Sequence, residues 1–106
     1  SVDTVYMSWT LFQFYIETGN WEKTRLAFGC MQNAYSQAKR AHKIFSKYTG
    51  EKQVAEFNKG SRHILLDDNG VLKLNKYITP ASLLKMSRLL RDAEKRCKKH
   101  PSNSIM

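Results

Sequence analysis

Lys39, Arg40, Lys43 and Lys47 follow one another at steps of one, three and four residues. On a helix that spacing gathers four cations within about 100° of arc. Arg88, Arg91, Lys95 and Lys98 cover a similar arc later in the chain. Cations so placed neutralise phosphates, and binding built on such contacts weakens steeply as salt rises. Most lysine-rich helix faces are merely solvated. Two faces of the same sign, with few interleaved acids, favour phosphate contact here. Nothing in the spacing reads bases: there is no helix-turn-helix, homeodomain or RNA-recognition signature.

Other chemistry has weaker support. His42, His63 and His100 are scattered, without a carboxylate or cysteine at ligand spacing. There is no Gly-rich phosphate loop, no nucleophile elbow and no HExxH. A metal-free nuclease could be assembled from His and Lys, but no spacing selects one. Asp67-Asp68-Asn69-Gly70 invites comparison with a calcium loop. With Gly70 at the sixth position, Leu65 and Lys76 fall at the first and twelfth, where an EF-hand needs carboxylates. Cys30 and Cys97 show no CxxC or zinc spacing and read as reduced thiols that pack as small hydrophobes. The expectation is therefore no catalytic residue, no metal and no cofactor.

The totals agree with a basic binding protein. The chain has 106 residues, a prior for one domain, and 42% hydrophobic content, which argues against disorder throughout. Its net charge is +9 and unevenly placed. Residues 1–22 hold Asp3, Glu17 and Glu22 and no cation, so the remainder carries +12, from 18 basic and 6 acidic residues. That asymmetry points to nucleic acid or an acidic protein surface as partner. Residues 2–16 are apolar but lack a basic leader, contain Asp3 and are too short to span a bilayer. An intracellular protein is expected, cytoplasmic or in the nucleoid or nucleus, with no membrane partner.

The elements that must position these charges are helical. Asn20 to Gly50 reads as one long helix, with Asn20 as N-cap and Gly50 just past its end. Ala27, Met31, Ala34, Ala38, Ala41, Phe45 and Tyr48 recur on one side of it at steps of four and three. The small alanines let a neighbouring helix approach closely. Gly29 interrupts the stripe, marking either close packing or a kink.

Residues 3–18 predict a first helix that is apolar on every side, to be buried on more than one face or used in a dimer. Gly19-Asn20 folds the second helix back on it. Leu11, Tyr15, Gly19, Trp21 and Phe28 resemble the tetratricopeptide helix pair in their offsets, over about 25 residues and in one copy. Thr24 and Met31 stand where that family favours Ala, and the second helix outruns the family's length. The resemblance implies a packed helical hairpin and not the family's peptide-binding role.

Residues 51–59 predict a short helix stopped at Gly60. His63–Leu66 and Val71–Leu74, joined by a turn at Asn69-Gly70, predict a β-hairpin. Thr79-Pro80 opens a last helix to about His100, packing on Leu83, Met86, Leu90, Ala93 and Cys97.

The sequence thus predicts a mainly α fold: a small helical bundle built on a helical hairpin, with one short β-hairpin before a C-terminal basic helix. Residues 1–100 form one domain and 101–106 a flexible tail. The expected function is non-enzymatic, regulatory binding of DNA or RNA through Lys39, Arg40, Lys43, Lys47, Arg88, Arg91, Lys95 and Lys98. The alternative is a protein-interaction module or inhibitor that docks through Tyr6, Trp9 and Phe12 of the first helix. That docking would be onto an acidic partner or into a homodimer.

Overall fold

The computed structural model describes residues 2–59 and 78–99. Four helices account for nearly all of them: α1 (Val2–Glu17), α2 (Trp21–Lys47), α3 (Gly50–Asn58) and α4 (Pro80–Lys99). No strand occurs among the described residues. The β-hairpin expected at 63–74 and the tail at 101–106 lie outside them. Among the described residues no helix is long and apolar enough to cross a membrane.

The boundaries have local causes. α1 stops where Gly19 takes a positive φ of 75°, a conformation open to glycine at little cost. The Asn20 amide then donates to the Tyr15 carbonyl (2.9 Å) and the Gly19 amide to Ile16 (3.3 Å), closing a Schellman turn. Asn20 caps α2 as its spacing requires: its side chain accepts from the Lys23 amide at 3.2 Å. Thr79 and Ser82 cap α4 reciprocally. The Ser82 amide donates to the Thr79 hydroxyl (3.1 Å), and the Thr79 amide donates to the Ser82 hydroxyl (2.9 Å).

The long helix ends earlier than its sequence suggests. α2 closes at Lys47, and Tyr48 and Thr49 are extended. Gly50, at φ 58°, begins α3 instead of ending α2. The cause is tertiary. Phe57 of α3 is 1% exposed and meets Phe45 edge-on with ring centroids 5.2 Å apart. Burying that ring requires the chain to turn three residues before the glycine. Gln53 then holds the corner by donating to the Tyr48 carbonyl at 2.8 Å.

The core runs along the α2 seam in two stretches. Val5, Ala34, Ala38, Ala41, Ile44, Phe57, Ile78 and Met86 form one. Phe12, Ile16, Ala27, Met31 and Ala93 form the other. Val5 meets the start of α4 and Phe12 its later turns, so α1 and α4 run parallel and both are antiparallel to α2. The alanines act as the sequence suggests, letting the large side chains of α1 and α4 lie over the α2 backbone. Gly29 does not serve close packing, because a Cβ built there meets nothing within 4 Å.

α1 departs from expectation. It buries one face, on Val5, Ser8, Phe12 and Ile16, and leaves Met7, Leu11 and Phe14 exposed. A helix that is apolar all round is here covered on one side only. The neighbours that could enclose the rest are used elsewhere: α2 and α4 share a single seam with it.

Candidate nucleic-acid interface

Two shallow depressions follow one another along the α2–α4 boundary. Phe28, Gln32, Tyr35 and Ser36 of α2 line the first, with Ser87, Leu90, Arg91 and Glu94 of α4. Lys39, His42, Lys43, Ser46 and Lys47 line the second, with Leu83 of α4. Tyr35 and Ser36 stand one helical turn from Lys39, and Ser87 one turn from Leu83. The two therefore line up as one shallow groove along the α2–α4 boundary among the described residues. Three of the expected α2 cations, Lys39, Lys43 and Lys47, are exposed around its second half. Arg91 is exposed at the first half, so one cation of the α4 set joins three of the α2 set along this boundary.

The remaining expected residues divide differently. Arg88 and Lys95 are exposed on the outer side of α4 and line neither depression. Lys98 is exposed and pairs with Glu94 at 3.2 Å, which offsets the one carboxylate lining the groove. Lys39 rests its ammonium 4.7 Å from the centroid of the Tyr35 ring. That cation–π contact holds the charge over the groove without an ion pair.

Arg40, expected among the phosphate ligands, is half-buried and makes a structural contact. Its guanidinium donates to the carbonyls of Glu56 (2.8 Å) and Phe57 (3.3 Å) at the end of α3. The Phe57 carbonyl also accepts from the Lys59 amide at the cap, and both carbonyls carry the negative end of the α3 dipole. A cation at that point fastens α3 to α2. Replacing Arg40 with Met should lower unfolding free energy by about 1–2 kcal/mol, because hydrogen bonds from a charged donor are among the stronger ones. Urea denaturation followed by circular dichroism measures it. An unchanged midpoint would remove the capping role.

Phe12 is corrected from surface to core. It was expected on the interaction surface, yet it is 0% exposed in the chain's own core. Trp9 stacks on it at 5.8 Å and the Arg96 guanidinium lies 5.7 Å from its centroid. Tyr6 and Trp9 are half-buried. The exposed apolar residues of α1 are instead Met7, Leu11 and Phe14, and Leu26 of α2 is exposed as well. Sequence spacing could have found the α1 set: Thr4, Met7, Leu11, Phe14 and Thr18 recur at three and four, like a coiled-coil seam. The aromatic and polar floor of the groove was also missed as a functional set. Its one local signal is the Tyr35–Lys39 pair at helical spacing.

Three titratable groups among the described residues are shifted by their surroundings. Burial pushes the Cys97 thiol up, against smaller opposing effects of Arg25 and Arg96, so it is held as the neutral thiol. Glu56 is held below the usual carboxylate range by its hydrogen bond to Lys59, whose ammonium is raised by the same contact. Both lie at the C-terminal end of α3, where Glu56 also feels the charge of Lys47. No group of three His, Cys, Asp or Glu among the described residues could hold a metal ion. Comparison with known proteins adds no match: no family model fits the chain, and no similar curated protein or solved structure is found.

Proposed function

We propose that this is a non-enzymatic basic protein that binds nucleic acid along the α2–α4 groove. The observation that carries the reading is the alignment of three α2 lysines with one α4 arginine along the boundary between the two helices. Lys39, Lys43 and Lys47 border a depression shared with α4, and Arg91 borders the next. Glu94, which lines the first depression, is paired with Lys98, and Glu56 stands close enough to Lys47 to be held low in part by its charge. A phosphate backbone laid along the groove would meet several cations in succession, and its counterions would be released into solution. Fluorescence anisotropy with a labelled oligonucleotide, titrated across salt, tests this. Affinity should fall linearly on a log–log plot, with a slope set by the number of phosphates contacted. No binding at low salt would end the proposal.

A second reading has its own observation, the exposed stripe Met7, Leu11 and Phe14. Monomeric proteins seldom leave a large apolar patch uncovered without a use for it. The stripe has the spacing of a helix–helix seam, so it fits a partner helix, a second copy of this chain included. An acidic partner would instead favour the groove, since the exposed charges of α1 are Asp3 and Glu17. The double substitution Leu11→Lys, Phe14→Lys should abolish any dimer seen by sedimentation while the helical signal survives. A monomer at every concentration, together with no captured partner, would retire this reading.

A further inference from the structure

The first depression has features that a phosphate-binding strip does not need. Phe28 and Tyr35, both half-buried against the core, turn part of an aromatic ring to it. Arg91 stands at its edge, and the Lys39 ammonium lies over the Tyr35 ring where a base could take its place. Its volume is about 360 Å³, at the small end of ligand-sized concavities, which run roughly 300–1,000 Å³. A duplex keeps its bases stacked inside and presents phosphates and groove edges, so it could use the cations but not the rings. An unpaired base could use both. Sequence-tolerant recognition of single strands combines these parts: a cationic track for the backbone and aromatic side chains against which bases stack.

The placement of charge sets the direction of such a strand. Glu94 lines the first depression, where its carboxylate, paired with Lys98, can also accept from the amino group of a base. The phosphates are then left to Lys39, Lys43 and Lys47, where no carboxylate lines the depression. We infer that the groove takes single-stranded nucleic acid, with one base seated against Tyr35 beside Arg91 and the adjoining phosphates on the α2 lysines. This rests on the nucleic-acid reading above and narrows it to one strand.

The test compares single-stranded and duplex oligonucleotides of about 15 nucleotides, a length that covers such a site. DNA and RNA versions of the same sequence are run side by side, and 2-aminopurine is placed within the strand as a stacking probe. The single strand should bind at least about tenfold more tightly than the duplex, and the probe's fluorescence should be quenched on binding. Tyr35→Leu should weaken single-strand binding by about tenfold, the scale of one lost stacking contact, and duplex binding by clearly less, since a duplex loses only the ring that steadies Lys39. Equal or tighter duplex binding, or no quenching in the unaltered protein, would overturn the inference while leaving the nucleic-acid reading in place. Binding to neither would remove both. If Tyr35→Leu fails to fold by circular dichroism, the quenching and the strand preference of the unaltered protein decide. Whether DNA or RNA binds more tightly identifies which strand the groove serves.

Discussion

Combined replacement of Lys39, Lys43 and Arg91 by Gln should lower nucleic-acid affinity by about a hundredfold near physiological salt, with the fold intact. Each phosphate contact contributes through the counterion it releases, and losing three should also flatten the salt dependence by about two to three units of slope. All three side chains are exposed. Their removal should cost little stability beyond the Lys39–Tyr35 contact, about 0.5–1 kcal/mol at such a site. Net charge alone would produce some loss, because a protein at +9 attracts polyanions from any side. The control is therefore Lys23, Lys52 and Lys85 replaced by Gln, an equal loss of charge at exposed positions away from the groove. Anisotropy titrations on both triples at several salt concentrations separate the cases. Equal losses from both would mean the attraction is diffuse and the groove is no site.

The largest expected effect on stability is at Phe12. Phe12→Ala should cost about 3–5 kcal/mol, the usual range for truncating a buried aromatic. A domain of this kind is stable by about 5–15 kcal/mol, so the variant should be close to unfolding or past it. The ring is fully enclosed and touches three elements. Trp9 stacks on it from α1, Phe28 lies 6.3 Å away on α2, and Arg96 covers it from α4. Its loss would leave a cavity where the three helices meet. Phe14→Ala, two residues along the same helix but 59% exposed, should change stability by no more than about 0.5 kcal/mol. Urea melts followed by tryptophan fluorescence measure both, with Trp9 reporting directly on the Phe12 site. Similar midpoints for the two variants would mean that α1 does not pack in this orientation.

The contrast between Phe12 and Phe14 shows where sequence reasoning reached its limit. Local signals placed the helices well. Asn20, Gly19 and Thr79-Pro80 act over three or four residues through their own backbone bonds, so their meaning does not depend on distant partners. The alanine seam was readable for a similar reason: a helix's period assigns its faces before anything packs on them. In α1 the period marked stripes but did not choose between them, because apolar residues occupy every face. Which face is core depended on where α2 and α4 lie, and that involves residues far away in the chain.

The same division holds for the basic residues. Composition and spacing put cations on the outer faces of two helices. Neither could say that Arg40 would be drawn to the carbonyls of Glu56 and Phe57, since that pairing exists only once Phe57 is buried and α3 turns back. Nor could they say whether the α2 and α4 faces adjoin. Periodicity gives the angle of a side chain about its own helix axis. The antiparallel packing of α4 on α2 converts those angles into a shared groove, bringing Arg91 to Gln32 and Leu83 to Lys39. Charge and helicity are properties of segments, whereas a site belongs to the arrangement of segments, set by the burial of Met31, Met86 and Ala93 at their common seam.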